Sequence, residues 1–482
     1  MDIFTVMKIE GLDVDVMCDV DASYKAFVTE ENGKRVMYLQ LVKALYGCVR
    51  SALLWYDLFK STLEKMGFKL NPYDPCVANK MINGTQCTLV WYVDDNKISH
   101  VDPAVVTTIV EAIESCFGKM TVSRGMEHEF LGMTIIYNGD GTASIDMSRY
   151  SKEAIEDFGE DIGRTSATPA AKTLFDIDEN SPKLSTEKAE LFHSIVAKLL
   201  YVSLRARIDI QLPVVFLCTR VAKCTKQDWG KLRRVLQYLK GTINDSLRIG
   251  ADNLNTLQTW VDASYAVHQD MKSHTGGAVS FGHGALLSKS AKQKLNTKSS
   301  TEAELVGASD YLPSTIWVKY FMEAQGYPIE TNLYHQDNQS AIKLELNGKK
   351  SGGQKSRHID IRYFFIKDRL EIDNVKVVYC PTEAMLADFF TKPLQGNLFR
   401  RLREVIMGRQ PVSSLKDFVS SVPHQERVER ANYGSDHTGH DNEKPSQVGI
   451  INSLNKANDS MKTVASRTYA DVLVNKKLVS KG

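Results

Sequence analysis

The sequence lacks any long apolar run. None of its hydrophobic stretches approaches the roughly 18 consecutive residues that a membrane-spanning helix needs. The first residues, MDIFTVMKIEG, also lack the basic flank and the apolar stretch of a secretory signal peptide. These absences predict an intracellular protein, cytoplasmic or nuclear, that is neither secreted nor transmembrane.

The sequence also lacks a large net charge of either sign, and it lacks closely spaced cysteine pairs. The 60 basic and 58 acidic residues nearly cancel, so overall charge does not indicate a nucleic-acid-binding protein, and local patches must be examined instead. The 8 cysteines form no CxxC pair, and none has a histidine at zinc-finger spacing. We expect reduced, buried thiols rather than disulfides or a structural zinc site.

What the sequence does contain is enough chain for two or three domains, at 482 residues of ordinary globular composition. Composition and periodicity divide it into a mixed helix-and-strand segment, a Ser/Thr/Pro-rich linker, a helical segment, a second mixed segment and a polar tail expected to be disordered. These segments are residues 1–164, 165–187, 188–250, 255–405 and 406–482. The pattern predicts an α+β unit with helices on one face of a sheet, then helices, then an α/β unit with a mixed sheet.

Two adjacent carboxylates interrupt an apolar strand pattern in WYVDDNKI, residues 91–98. The flanking stretches QCTLVWYV and DNKISHV predict two strands, with Asp94 and Asp95 in the tight turn between them. Neighbouring like charges in an apolar setting are unfavourable unless a cation compensates them. The residues alone do not identify the cation that compensates Asp94 and Asp95.

Four further acids lie near predicted strand and helix ends: Asp262, Glu302, Asp337 and Asp388. Singly they have structural explanations, since Asp262 could bond a turn, Glu302 could complete a capping box with Ser299, and Asp337 could be a helix N-cap. Gathered at one sheet edge, they would repel unless divalent cations lay between them, and hard oxygen ligands suit Mg²⁺ or Mn²⁺. Two such ions can activate water and stabilise the leaving oxygen in phosphodiester cleavage.

Basic residues accompany these acids in the sequence. Lys292, Lys294, Lys298 and Arg357 could hold a polyanionic backbone, or could simply be solvated loop residues. His358 could act near a leaving group, although a single histidine is more often structural. The sequence alone leaves both alternatives open.

Together these segments resemble the reverse transcriptase–ribonuclease H region of copia-type retrotransposon Pol polyproteins, over roughly residues 1–405. Each segment is weak evidence alone, but their order and spacing are specific. In chain order they are KALYGCVRSALLWYDLF, NPYDPCVANK, WYVDDNKI, FLGMTI, AKLLYVSLRARIDIQLPVVFLCTRV, WVDASYA, KSSTEAEL, YHQDNQSAI, RHIDIRYFF and ADFFTKPL.

The resemblance implies a polymerase palm and fingers, a helical thumb and connection, and a ribonuclease H fold. It implies RNA–DNA hybrids, an RNA template with a DNA primer, and deoxynucleotides as partners. In the polymerase, the implied metal ligands are Asp94 and Asp95; in the nuclease they are Asp262, Glu302, Asp337 and Asp388. The residues implied near template or incoming nucleotide are Lys43, Tyr46, Gly47 and Arg50, and those near the primer grip are Leu131 and Gly132.

The sequence departs from the family pattern near its start. The family's polymerase carries another metal-binding Asp on a strand well before LYG, in a segment like DVKTAFL. Residues 18–24, CDVDASY, offer Asp19 and Asp21, but residues 2–8, DIFTVMK, already resemble the stretch that follows that motif. The missing Asp is therefore expected upstream of residue 1, in an N-terminally truncated chain, with Asp19 and Asp21 in a loop insertion.

Three functional hypotheses follow. The first is a Mg²⁺-dependent ribonuclease H joined to an incomplete polymerase. The second is an active RNA-directed DNA polymerase in which Asp19 or Asp21 replaces the missing ligand. The third is a non-catalytic nucleic-acid-binding remnant of a transposon.

Overall fold

A computed structural model describes residues 6–40, 49–347, 357–415 and 470–475. The helices are α1 (Leu12–Val20), α2 (Val49–Lys65), α3 (Pro103–Phe117), α4 (Ser148–Asp157), α5 (Thr186–Ser203), α6 (Gln211–Cys218), α7 (Lys226–Gly241), α8 (Ser300–Ala324), α9 (Gln339–Asn347), α10 (Arg357–Ile372) and α11 (Gly396–Ile406). The strands are β1 (Val6–Glu10), β2 (Val28–Glu31), β3 (Lys34–Gln40), β4 (Lys69–Asn71), β5 (Asp74–Ile82), β6 (Thr85–Tyr92), β7 (Asp95–His100), β8 (Thr121–Arg124), β9 (Glu127–Phe130), β10 (Met133–Tyr137), β11 (Ala143–Asp146), β12 (Leu247–Ala251), β13 (Thr256–Ser264), β14 (His274–Ser280), β15 (Gly282–His283), β16 (Leu287–Lys292), β17 (Thr331–Gln336), β18 (Val375–Tyr379) and β19 (Ala470–Asn475).

The first strands form a small sheet in the order β1-β3-β2, with every pairing antiparallel. Its core is correspondingly small, and centres on Val14 and Cys18 of α1 and Met37 of β3.

A larger sheet follows, in the order β4-β5-β6-β7-β19-β8. Helices α2 and α3 share one apolar core with its strands, where Phe59 and Ile109 meet Leu89 and Ile98. Helix α2 ends just before Gly67, whose φ of +86° suits a helix stop. The predicted strands around Asp94 and Asp95 are also present, as β6 and β7.

The predicted polar tail, residues 406–482, needs correction in two places. The chain stays packed to Leu415, because Val412 and Leu415 are buried and the Val412 N–H donates to the Gly282 carbonyl at 2.8 Å. Residues 470–475 form a strand inside the six-stranded sheet. Both are short apolar stretches in polar surroundings, and their partners are remote in sequence. The remainder of that tail lies outside the described residues.

A five-stranded antiparallel sheet, β15-β12-β11-β10-β9, joins the first half of the chain to the second. Residues 138–141, Asn-Gly-Asp-Gly, connect β10 to β11 as a hairpin. Helices α4 to α7 and α11 pack into the largest core. The predicted linker, 165–187, is irregular but partly packed into that core, with Ala170 and Leu174 buried.

The last sheet is mixed, as the sequence predicts. Its order is β16-β14-β13-β17-β18, with β13, β17 and β18 parallel to one another and the other pairings antiparallel. Helices α8, α9 and α10 pack around this sheet. Helix α8 is continuous through Pro313.

Helix α8 also contacts the six-stranded sheet. Trp317 Nε1 donates to the Tyr73 carbonyl at 3.0 Å, Gln86 donates to the Gln325 carbonyl at 3.2 Å, and the rings of Tyr73 and Tyr320 stack. This one helix therefore packs on the mixed sheet and touches the sheet that carries the acidic turn.

None of the helices in the described ranges is long and apolar enough to cross a membrane. The cysteines within those ranges are free thiols, and Cys48 lies outside them.

Candidate metal centre

Three carboxylates meet at one edge of the mixed sheet. Strands β13 and β17 are parallel neighbours, so their carboxyl ends lie at the same edge. Asp262 lies near the end of β13, Asp337 directly follows β17, and Glu304 comes from the start of α8. One ligand oxygen from each lies within 4.8 Å of the others. This acid group, Asp262, Glu304 and Asp337, is compact enough to share a cation.

Helix geometry explains why Glu304, and not Glu302, joins this group. Successive residues on an α-helix are rotated by about 100°, so residues two apart point in very different directions. Glu304 shares a face with Gly307, and a Cβ atom at Gly307 would lie 3.4 Å from Ala263 Cβ of β13. Glu304 therefore points toward β13, and it is buried.

Glu302 instead stabilises the start of α8. Its backbone N–H donates to Ser299 Oγ at 3.2 Å, and its carboxylate accepts from the Lys298 N–H at 2.7 Å. This is close to the capping-box arrangement that the sequence offered as the structural alternative. The inclusion of Glu302 among the converging acids is therefore corrected to Glu304.

Asp337 is free to face the site because a neighbour takes the capping role that the sequence offered it. The Asn338 side chain accepts from the N–H groups of Ser340 and Ala341, at 3.0 and 3.1 Å, in the first turn of α9. Asp337 then lines an open pocket of ≈ 430 Å³ with Asp262 and Glu304. A pocket of this size can admit a phosphate group and its cations.

Asp388 lies beside the acid group rather than within it. Lys392 Nζ is 2.7 Å from Asp388 Oδ1 and 3.3 Å from Asp262 Oδ1, so one ammonium bridges the two carboxylates. The Thr391 hydroxyl also donates to Asp262. A sequence signal for Lys392 exists in its i,i+4 spacing from Asp388.

A glycine on β14 permits this approach. Gly276 pairs with Asp262 across the sheet, and a Cβ atom there would lie 2.6 Å from Thr391 Cγ2 and 2.8 Å from Phe390 Cβ. Such distances are shorter than carbon atoms tolerate. The 3₁₀ helix Leu386–Phe390 can therefore rest on β14 only because residue 276 has no side chain.

The electrostatics of the site show an excess of negative charge. Burial raises the pKa of Glu304 well above its usual range, and the charges of Asp262 and Asp337 raise it further. Burial, followed by the charge of Asp262, likewise raises the pKa of Asp337 and takes that of Asp388 to about 8. Burial would lower the pKa of Lys392, but Asp262 and Asp388 raise it above its usual value. The ionised form of this site is therefore unfavourable without further positive charge.

The residues present fit a hard divalent cation. Carboxylate oxygens are the ligands that Mg²⁺ and Mn²⁺ prefer. Glu304 Oε2 is buried and makes no hydrogen bond, so a buried ligand atom is left without a partner. A cation between Asp262, Glu304 and Asp337 would provide that partner.

The basic residues named from the sequence have separate environments. Lys292 pairs with Asp270 at 2.7 Å, whereas Lys294 and Lys298 are exposed in the loop before α8. Arg357 and His358 begin α10, but their side chains lie outside the description. Lys294 and Lys298 are thus the candidates left for phosphate contacts.

The acidic turn between β6 and β7 is strained. Val93 has a φ of +54°, which costs a β-branched residue roughly 1–2 kcal/mol. Its carbonyl accepts from Trp55 Nε1 at 2.6 Å, and Asn96 donates to the Asp94 carbonyl at 3.1 Å. Burial, with the neighbouring charge of Asp94, raises the pKa of Asp95. Strain of this kind is typical of functional turns.

Within the described part of the chain, no third acid, histidine or cysteine groups with Asp94 and Asp95 as a possible ion site. Asp19 is exposed near the end of α1. Asp21 accepts from the Ser23 N–H at 2.9 Å and so caps a 3₁₀ turn. The structure therefore brings neither of them into an acid group with the turn.

The remaining predicted residues divide between described and undescribed parts. Arg50 is exposed in the first turn of α2, whereas Lys43, Tyr46 and Gly47 lie outside the described residues. Leu131 and Gly132 form the turn between β9 and β10, with φ values of +53° and +70°.

That turn is also packed tightly. The Leu131 carbonyl accepts from the Tyr201 hydroxyl at 2.6 Å. A Cβ atom at Gly132 would lie 2.8 Å from the Tyr150 hydroxyl. Glycine is therefore required there by both its backbone angle and its space.

Comparison with known proteins finds no matching family model. The chain is 28% identical over 384 residues to the retrovirus-related Pol polyprotein from transposon TNT 1-94 of Nicotiana tabacum. The matched region covers 78% of this chain and 28% of that protein. It is 27% identical over 377 residues to the corresponding polyprotein from transposon RE1 of Arabidopsis thaliana, at 76% and 25% coverage. A putative transposon Ty5-1 protein of Saccharomyces cerevisiae is 26% identical over 286 residues, 59% of this chain and 91% of that one.

Among solved structures, prototype foamy virus protease-reverse transcriptase matches 78% of this chain and 43% of its own, with 14% identity. The TM-score is 0.22, too low to support an argument about the fold. The sequence relatives do confirm the resemblance to copia-type transposon Pol polyproteins, over about three quarters of this chain. The chain spans only about a quarter of the length of the two plant polyproteins.

Proposed function

We propose that this chain, a homologue of copia-type transposon Pol polyproteins, cleaves the RNA strand of RNA–DNA hybrids with Mg²⁺ or Mn²⁺. The observation that carries the proposal is the acid group Asp262, Glu304 and Asp337, gathered at one sheet edge in an open pocket. The presence of such a group in a homologue of Pol polyproteins supports a ribonuclease H activity.

Each residue has a role in this proposal. Asp262, Glu304 and Asp337 would hold divalent cations, and the chemistry that such cations supply when bound is the activation of water and the stabilisation of the leaving oxygen of a phosphodiester. Asp388 supplies a fourth carboxylate when its ion pair with the Lys392 ammonium is broken. Lys294 and Lys298, exposed beside α8, contact backbone phosphates, so recognition depends on hybrid shape more than on base identity.

The test is cleavage of a labelled RNA strand in an RNA–DNA hybrid by the full chain, with Mg²⁺ and with a chelator. Asp262→Asn keeps the size of the side chain and removes its charge, so cleavage should fall by ~100-fold or more. Absence of Mg²⁺-dependent cleavage in the wild type, or cleavage that Asp262→Asn leaves unchanged, would sink the proposal. Salt-dependent hybrid binding without turnover would instead favour a non-catalytic transposon remnant.

RNA-directed DNA polymerisation is the second candidate, favoured by the strained turn that presents Asp94 and Asp95. With two carboxylates grouped there in the described residues, we expect primer extension on an RNA template to be far weaker than hybrid cleavage. Strong primer extension that is abolished by Asp94→Ala and also by Asp21→Ala would show that Asp21 completes the polymerase site. That result would contradict the position of Asp21 as the cap of a 3₁₀ turn.

A further inference from the structure

Helix α9 carries a buried carboxylate close to the acid group. Glu345 is fully buried, one helical turn after Ala341, which is buried as well. A helix position that faces a core normally holds an apolar residue, because an acidic side chain loses its hydration there. Burial accordingly raises the pKa of Glu345 to about 8. Packing alone therefore does not explain a glutamate at this position.

The polar group that Glu345 faces is the side-chain amide of Gln336, the last residue of β17. Gln336 is also fully buried, and its Oε1 accepts from the backbone N–H groups of Asp337 and Asn338, at 2.9 and 3.1 Å. Its Nε2 does not reach the distance and angle of a full hydrogen bond, but the amide is close enough to Glu345 to lower the pKa of that carboxyl. Glu345 is thus the acceptor on the nitrogen side of the amide.

These contacts fix the turn that carries Asp337. Only Asp337 and Asn338 lie between β17 and α9, and Gln336 Oε1 holds the N–H groups of both. If the amide were reversed, Nε2 would oppose two N–H donors and the turn would lose this acceptor. An acceptor at Glu345 favours the observed orientation, because it lies on the side to which Nε2 points.

We propose that Glu345 is a positioning residue, which acts through Gln336 to hold Asp337 in place for a divalent cation. This inference rests on the proposed metal centre and adds a residue behind it. Because Glu345 is fully buried, it reaches neither the cation nor the substrate, and its effect on the site passes through the amide. It is also near Glu304, since its charge raises the pKa of that residue.

A positioning role and a structural role predict different effects on stability. A buried carboxyl without a well-formed hydrogen bond opposes folding, so replacing it by an apolar group of similar size should not weaken the fold. Glu345→Met removes both oxygens and keeps the length of the side chain, so its thermal unfolding midpoint should equal or exceed that of the wild type. Glu345→Gln is the conservative variant, because it keeps one acceptor oxygen.

An adjacent residue of α9 provides the matched control for a loss of packing. Leu344 is partly buried against the core of the mixed sheet, and Leu344→Ala should lower the thermal unfolding midpoint by removing apolar contacts. The Glu345 carboxyl and the Gln336 amide are unchanged in this variant. It therefore separates general loosening of α9 from the loss of one acceptor.

Mn²⁺ binding to the full chain without substrate tests the proposal. Electron paramagnetic resonance measures free Mn²⁺, and the component that Asp262→Asn removes is the binding at the metal centre. Glu345→Met should raise the dissociation constant of that component about tenfold, as removal of outer-shell partners of metal ligands does. Glu345→Gln and Leu344→Ala should stay within about twofold of the wild type.

The possible results separate this inference from the proposed function. Wild-type binding that Glu345→Met leaves unchanged would overturn the positioning role and leave the metal centre standing. An equal loss of affinity in Leu344→Ala and Glu345→Met would also overturn it, since loosening of α9 would then be the cause. A wild type without any Asp262-dependent Mn²⁺ binding would overturn the metal centre, and this inference with it.

Hydrogen exchange of the metal-free chain tests the route through Gln336. The amides of Asp337 and Asn338 are held by Gln336 Oε1, so Glu345→Met should speed their exchange at least tenfold, measured on overlapping peptides. Glu345→Gln should restore the wild-type rate, and Leu344→Ala should leave it unchanged. Wild-type exchange at these two amides in Glu345→Met would overturn the proposal.

Discussion

At the scale of single residues, Lys392 occupies the place where the metal centre needs positive charge. Its ammonium contacts both Asp262 and Asp388, while Glu304 and Asp337 group with Asp262. One monovalent group cannot balance this concentration of acids, and burial together with repulsion from neighbouring carboxylates raises the pKa values of Glu304, Asp337 and Asp388. Lys392 therefore supplies part of the positive charge that this acid group needs.

Replacing this lysine should reveal that role. Lys392→Met keeps most of the side-chain volume and removes the charge, so the metal-free protein should lose on the order of 1 kcal/mol of unfolding free energy, since the side chain is 38% exposed. Saturating Mg²⁺ should restore most of this loss, because it binds the folded state. Urea unfolding with and without Mg²⁺ measures both effects, and Lys392→Arg is the charge-preserving control. A methionine variant as stable as the wild type without Mg²⁺ would contradict this account.

Two buried histidines give a second prediction at this scale. His268 Nε2 lies 3.0 Å from His274 Nδ1, and His274 Nε2 lies 2.7 Å from Ser290 Oγ. Because the Ser290 hydroxyl donates to the Phe390 carbonyl, it accepts from His274, whose Nδ1 then accepts from His268. Burial lowers the pKa of His268 to about 4 and that of His274 to about 3. The chain of bonds therefore requires the His274 ring to be neutral, and burial disfavours the charged form of His268.

Acid should destabilise the protein through this pair. Unfolded histidine titrates near pH 6.5, so between that pH and about pH 4 the unfolded state binds more protons, and the free energy of unfolding falls as pH falls. His274→Gln removes one titrating ring, so the wild type should lose up to about 2 kcal/mol more than this variant between pH 7 and pH 5. Urea unfolding at both pH values gives the two losses. Equal losses would show that His274 titrates normally.

At the scale of elements, the metal centre depends on how closely the 3₁₀ helix Leu386–Phe390 approaches β14. Gly276→Ala would place its Cβ within 2.9 Å of the Ala387 carbonyl, a backbone atom that cannot move alone. The helix must then shift, taking Asp388, Thr391 and Lys392 with it. We expect a loss of about 1–3 kcal/mol of unfolding free energy and a clear loss of hybrid cleavage.

Gly230→Ala in α7 is the matched control, because no atom lies within 4 Å of the added methyl group. That change should stabilise the protein by about 0.5–1 kcal/mol and leave cleavage intact, since alanine favours a helix interior. Thermal unfolding and hybrid cleavage of both variants provide the comparison. Equal behaviour of the two variants would remove the steric explanation of the site.

Element patterns also show what could be predicted from sequence. The S-x-x-E start of α8 correctly indicates a helix cap at Ser299, and for that reason Glu302 has a local partner. Glu304 falls on the same stripe as the buried Ala308 and Tyr311, so helical periodicity could have identified it as facing the sheet. Choosing between the two glutamates required the position of α8 over β13, a contact that no local pattern encodes.

At the scale of the whole molecule, the order of mixed, helical and mixed segments is readable from the sequence, because periodicity is a local property. The neighbours of each strand are not local. Strand β19 lies far along the chain from β7 and β8. In the five-stranded sheet, β15 pairs with β12 at the edge opposite β9. Contacts such as Trp317 to Tyr73 and Gln325 to Gln86 likewise join distant segments. These pairings depend on packing of the complete chain.

The central claim is that Asp262, Glu304 and Asp337 form a working metal centre. Its most direct test is the single-turnover rate of Mg²⁺-dependent RNA cleavage in an RNA–DNA hybrid, compared between Glu304→Gln and Glu302→Gln. The geometry predicts that Glu304→Gln lowers the rate by ~100-fold or more, whereas Glu302→Gln stays within about threefold of the wild type and loses only ~1 kcal/mol of stability. A Glu302→Gln variant that loses cleavage while Glu304→Gln retains it would contradict the account.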